Sequence, residues 1–104
     1  MRYNKLVRDK IPEIIQADNK TPIIRIADGP EYWERLKDKL LEEAHEFTED
    51  ETEKELADIL EVINAICEHK NIDKDNLEQL RQERAEKRGA FSKRIILEET
   101  KKKD

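Results

Sequence analysis

Cysteine is nearly absent from this 104-residue chain: Cys67 stands alone, so no disulfide can form within one molecule. Nor is there any apolar run approaching the length of a signal-peptide core or a membrane span. Together these absences point to a reducing cytoplasm. Basic residues do not predominate either, with 21 Lys and Arg against 26 Asp and Glu and a formal net charge of -5. A duplex nucleic-acid binder held by phosphate contacts is therefore not expected, whereas free nucleotides remain open because a metal ion can reverse the local sign. Internal repeats and low-complexity linkers are lacking too, so the length reads as one domain. A domain this short buries little of its surface alone, which makes a homodimer or homotetramer the expected state.

Charged residues form 45% of the chain and apolar ones 36%. The apolar residues fall in helical stripes, which argues for folding and against disorder. An opening rich in Lys5, Arg8 and Lys10 precedes Ile11 to Ile15, a short helix with proline in its first turn. Residues 22–27, β-branched and bounded by turn formers, read as an extended segment. Asp28-Gly29-Pro30-Glu31 opens a long helix running to about Phe47, with Trp33, Leu36, Leu40, Ala44 and Phe47 as its inward stripe. After a polar break, a second helix from Glu53 to Lys70 presents a wider stripe of Leu56, Ile59, Leu60, Val62, Ile63, Ile66 and Cys67, and should be the more buried. The short linker folds the two into an antiparallel hairpin. A third helix, capped near Asp73 or Asp75, extends to Arg88 and stops at Gly89, with Leu77 and Leu80 facing inward and Arg84 and Arg88 prolonging that row. Residues 91–97 read as extended and 98–104 as a frayed tail. The expected class is all-α.

The chemistry lies in two acidic clusters, Glu42-Glu43-Ala44-His45-Glu46 and Glu55-Leu56-Ala57-Asp58. By helical phase Glu43 sits about 60° from the centre of the first stripe with Glu46 beyond it, and Glu42 points away from the core. Glu55 and Asp58 edge the second stripe. An antiparallel hairpin sets the end of one helix beside the start of the next, so Glu43, Glu46, Glu55 and Asp58 converge on one volume. Four carboxylates there need divalent cations to offset their repulsion. Mg²⁺ or Mn²⁺ suits such an oxygen set, keeps open positions for phosphates, and makes metal-assisted phosphoanhydride hydrolysis the expected chemistry, with a carboxylate outside the metal shell as base. Lys5, Arg8, Lys10, Arg84, Lys87 and Arg88 are candidate triphosphate contacts, and Asn64 near the seam is another substrate contact.

Each residue also has a plainer role. Either acidic pair alone is an ordinary solvated face. Glu55 stands three residues after Thr52, so a capping box could occupy its carboxylate, unless Asp50 and Glu53 provide the cap. The basic residues could simply be solvated or paired with helical acids. By phase His45 is an exposed histidine, Cys67 a small buried hydrophobe, and Trp33 a core or interface residue.

Tyr3-Asn4-Lys5-Leu6-Val7-Arg8-Asp9-Lys10-Ile11-Pro12, the two acidic clusters, and Lys87-Arg88-Gly89-Ala90-Phe91 together resemble the MazG-like pyrophosphohydrolases, in their short phosphoribosyl-ATP pyrophosphohydrolase-like branch. The resemblance implies an all-α enzyme, dimeric or higher, that releases a nucleoside monophosphate and pyrophosphate from a triphosphate. By position it implies Glu43, Glu46, Glu55 and Asp58 as metal ligands. The two acidic halves here stand closer in sequence than that family's motif tends to place them, which keeps Glu42 beside Glu43 as a catalytic candidate; Ala90 stands where a second glycine is common. Two other functions fit the same residues: a non-catalytic helical dimerisation or partner-binding module, and a phosphoribosyl-ATP pyrophosphohydrolase of histidine biosynthesis.

Overall fold

Helix-forming sequence bounded by strong caps produces four α-helices and no strand in the computed structural model, which describes residues 4–103. They are α1 (Ile11–Ala17), α2 (Gly29–Asp50), α3 (Glu53–Lys70) and α4 (Lys74–Arg88). The fold is all-α. Tyr3, the first residue of the amino-terminal motif, and Asp104 lie outside the described residues.

Local chemistry sets most helix ends. Asp28 caps α2 by accepting the Glu31 N–H at 2.9 Å, with Pro30 in the first turn where its missing N–H costs nothing. The helix outruns its expected end at Phe47 by three residues. Thr48 is accommodated because its hydroxyl donates to the His45 carbonyl at 2.6 Å, and the helix stops only where Glu51 turns left-handed, φ 33°. Thr52 then caps α3, accepting the Glu55 N–H at 3.4 Å, and Asn71 closes it at φ 57°. Asp73 caps α4 through the N–H groups of Asp75 and Asn76, and Gly89, at φ 84°, ends it.

The chain divides into two compact units, one ending at Ile72 and the other starting at Asp73. In the first, α2 and α3 are joined by Glu51 and Thr52 alone, so they reverse and pack along their lengths. The apolar core is small: Leu36 of α2, with Val62 and Cys67 of α3. Two features of the stripes differ from expectation. Ala44 is exposed, and Glu43, two turns of helix beyond Leu36, occupies the inward position instead. On α3, Leu56 and Leu60 stay exposed, because a two-helix hairpin covers only one side of a wide apolar face; Leu41, outside the α2 stripe, is exposed as well. The β-branched run at 22–27 forms no strand; Ile23 and Ile26 are almost fully exposed, having no neighbouring strand to pair with.

In the second unit α4 buries no residue. Leu77 and Leu80, expected to face inward, are exposed: two leucines among so many charges give this helix too narrow a stripe to bury. Residues 91–97 contain no strand, and Phe91 and Ile95 to Leu97 are exposed. Among the described residues no helix is long and apolar enough to cross a membrane.

Candidate metal centre and its groove

The inward turn of Glu43 brings a carboxylate into the seam between α2 and α3. It is 7% exposed, and Glu55, in the first turn of α3, is 9% exposed. Glu55 reaches this position because the α3 cap uses the Thr52 hydroxyl, while the Glu55 carboxylate does not fold back to complete a capping box. Asp58 follows one turn along α3, half-buried, and Glu46 one turn along α2, exposed.

Their oxygens form two overlapping triads. One oxygen each from Glu43, Glu55 and Asp58 lies within 4.8 Å of the others, and the same holds for Glu42, Glu43 and Glu46. Glu43 belongs to both. Glu43, Glu55 and Asp58 converge as expected, whereas Glu46 meets Glu43 in the second triad and is not part of the first. Glu42, expected to point away, joins them as well, because two lysines draw it in: Lys5 Nζ donates to Oε1 at 3.1 Å and Lys39 Nζ to Oε2 at 3.2 Å.

The electrostatics separate these acids. Burial is the main cause that pushes the Glu43 carboxyl above the ordinary glutamate range, reinforced by the charges of Glu46 and Asp58 and opposed by Lys39, whose Nζ lies 3.6 Å from Oε1. Glu55 is raised for the same reason, burial first and then Glu46, Asp58 and Asp50. For Glu42 burial is outweighed by Lys5 and Lys39, which hold it below the ordinary range. Most telling are two atoms, Oε2 of Glu43 and Oε2 of Glu55: both are buried and neither has a hydrogen-bond partner. Unpaired buried carboxylate oxygens are costly, and here they converge with further carboxylates, an arrangement a hard dication satisfies. An all-oxygen set of this kind fits Mg²⁺ or Mn²⁺ and contains no thiolate or imidazole to favour Zn²⁺ or Cu²⁺.

The centre opens into a groove of about 390 Å³. Residues Leu6 to Lys10 form one wall; Tyr32, Lys39 and Glu43 contribute from α2, and Asp58, Asn64 and Ala65 from α3. Of the expected substrate contacts, Arg8, Lys10 and Asn64 line this groove and Lys5 is bound to Glu42. Arg8 donates from Nη2 to Asp58 Oδ1 at 2.8 Å. Asn64 donates to Glu68 at 3.4 Å. Arg84, Lys87 and Arg88 lie exposed on α4, in the second unit.

Sequence reasoning missed Lys39, although its spacing of three and four from Glu42 and Glu43 is a legible ion-pair signal. It also missed Tyr32 in the groove and His69. The His69 ring stacks on Trp33 with centroids 5.8 Å apart and meets Tyr32 edge-on at 5.1 Å, while Lys70 Nζ sits 4.1 Å above the Trp33 ring. Trp33 is thus engaged by its own hairpin. His45 is exposed and Cys67 buried, as their helical phases require.

Comparison with known proteins adds little to this geometry. No family model matches the chain, and no solved structure matches it. A stretch of 43 residues, 41% of the chain, is 51% identical to an uncharacterized protein of Mycolicibacterium smegmatis (strain ATCC 700084 / mc(2)155), of which it spans 44%.

Proposed function

We propose that this protein is a divalent-metal-dependent nucleotide pyrophosphohydrolase, hydrolysing a nucleoside triphosphate to the monophosphate and pyrophosphate in the manner of the MazG-like enzymes its motifs resemble. One observation carries the reading: two buried carboxylate oxygens, on Glu43 and Glu55, lack any donor and share one volume with Asp58 at the mouth of a groove. Glu43, Glu55 and Asp58 would hold a Mg²⁺ or Mn²⁺ ion, with Glu46 completing the set or holding a second ion. When bound, the ion supplies Lewis-acid neutralisation of phosphate charge and an acidified water.

The chain's own residues provide the rest. Glu46, exposed and one turn from Glu43, is placed to accept a proton from attacking water whenever it is not a ligand. Lys39, between Glu42 and Glu43, holds positive charge at the groove wall and keeps Glu42 ionised. Lys10 offers a further cation to phosphates from the opposite wall. Tyr32 and Asn64 line the same groove and are the residues we assign to the nucleoside. Asp58 and Asn64 are six residues apart on one helix, about 9 Å of axial rise, room enough to separate a phosphate end from a base end. Glu42, already held by two lysines, acts as an orienting acid and not as a primary ligand.

Leu41, Leu56 and Leu60 lie, by helical phase, on the flank of the hairpin opposite Lys39 and Asp58, and we assign them to a contact between two copies of the chain in a reducing cytoplasm. That exposed flank is also what favours the second reading, a partner-binding module without catalysis. A pyrophosphate-release assay over a panel of canonical and modified triphosphates and phosphoribosyl-ATP, with Mg²⁺ and with Mn²⁺, tests the proposal directly. Release that disappears in Asp58→Asn is expected; no release from any compound, together with no heat of Mn²⁺ binding, favours the module.

A further inference from the structure

Three carboxylates of the centre face one volume, yet only one of them has a strong donor. Arg8 Nη2 lies 2.8 Å from Asp58 Oδ1, while Oε2 of Glu43 and Oε2 of Glu55 have no donor at all. Arg8 comes from an entirely different part of the chain, the segment before α1, whose described residues 4–10 contain no helix or strand. Among the described residues, Lys5 pairs with Glu42, Arg8 pairs with Asp58, and Leu6 is half-buried, so both side-chain ion pairs of the segment go to the acidic cluster. The segment is therefore fastened over the groove by the negative charge that a dication would neutralise.

We propose that Arg8 is an exchangeable counter-cation of this centre: it occupies Asp58 while no dication is bound, and is handed over to the nucleotide's phosphates when a dication takes Asp58. The inference rests on the metal-dependent reading above and adds to it a competition and a sign. A dication held by Glu43, Glu55 and Asp58 would compete with Arg8 for the Asp58 carboxylate, whose Oδ1 accepts from Arg8. A cation bound there would also repel the neighbouring guanidinium. Displacement of Arg8 uncovers no core, since its side chain is 58% exposed. The released guanidinium remains in the groove wall, where Lys10 is its neighbour. There its planar fork suits a phosphate's paired oxygens, a geometry that lysine does not reproduce. Removing Arg8 should thus strengthen metal binding and weaken nucleotide binding, two changes of opposite direction from one substitution. A permanent structural ion pair would leave nucleotide binding unchanged, so the nucleotide arm separates the two.

Calorimetric titration of Mn²⁺ into the full chain separates the cases, using wild type, Arg8→Ala, Arg8→Lys and Lys5→Ala at low salt, with circular dichroism to check helicity. Arg8→Ala is expected to bind Mn²⁺ ~3- to 30-fold more tightly, the range set by one partly exposed ion pair plus the repulsion between two cations. Arg8→Lys, which keeps the charge, should stay within about threefold of wild type. Titration of a non-hydrolysable α,β-imido nucleoside triphosphate into the Mn²⁺-loaded proteins should show both Arg8 variants weakened, ~10-fold, for want of a charge-assisted bidentate contact. Lys5→Ala, which leaves the Arg8 contact to Asp58 in place, should change the nucleotide affinity less than either Arg8 variant does. Equal or weaker Mn²⁺ binding by Arg8→Ala overturns the hand-over while leaving the metal site standing. No Mn²⁺ binding by any of the four chains overturns the metal-dependent reading and this inference with it.

Discussion

Glu43→Gln removes a negative charge but keeps nearly the same shape, so it isolates what the buried carboxylate costs the fold. In the metal-free chain Oε2 of Glu43 is buried without a donor, and the side chain stands beside Glu46 and Asp58. A buried polar atom left unpaired costs about 1–3 kcal/mol. Lys39, 3.6 Å from the other oxygen, offsets part of this, so the substitution should stabilise the metal-free protein by ~1–2 kcal/mol at pH 7. For a unit of this size that corresponds to a rise of ~4–16 °C in Tm. The effect has a definite pH dependence. The Glu43 pKa is raised in the folded protein, chiefly by burial, so the folded state holds its proton at a pH where the unfolded state has lost it. The destabilisation is absent below the ordinary glutamate value of the unfolded chain, grows as pH rises through the interval up to the raised folded value, and is then constant. Groups shifted the other way, such as Glu42, are present in both proteins and largely cancel in the difference. Urea or thermal unfolding of both proteins in chelator from pH 3.5 to 8 should therefore show coincident stability at the acid end and a widening advantage for Glu43→Gln above it. A variant less stable than wild type at pH 7, or a difference that does not change with pH, would refute this account of the seam.

Addition of Mn²⁺ should reverse that order: at 100 times its Kd the ion stabilises wild type by about 2.7 kcal/mol, and differential scanning calorimetry should show little gain for Glu43→Gln. Asp58→Asn should fold with unchanged far-ultraviolet circular dichroism but lose at least ~100-fold in turnover, the scale of removing one charge-stabilising group; turnover within threefold of wild type would place Asp58 outside the centre. Leu60→Lys should lower the mass measured by light scattering if the exposed leucine flank joins two copies, whereas an unchanged mass would move the interface elsewhere. Cys67, buried and within the hairpin seam, should react with a maleimide only as fast as the hairpin opens, so labelling in hours under native conditions and in seconds in urea is expected.

Helix positions and most caps are dictated locally, by side chains that bond to backbone groups two or three residues away: Asp28 to Glu31, Thr52 to Glu55 and Asp73 to Asn76 each act within a single turn. Such signals are complete in the sequence, and so was the hairpin, because a short polar break between amphipathic helices turns the chain back on itself. From that reversal and the helical phase, the meeting of Glu43 with Glu55 and Asp58 could be worked out before any coordinates. Packing decided the remainder. Glu43 and not Ala44 turns inward, Glu42 is pulled toward the cluster by Lys5 from 37 positions away, and Arg8 reaches Asp58 across 50. Leu56 and Leu60 stay uncovered although their pattern resembles that of their buried neighbours, and Leu77 and Leu80 find no core. No periodicity contains these outcomes, since they depend on which surfaces meet and on how charges far apart in the chain neutralise one another, and both are properties of the folded arrangement and not of any window of sequence.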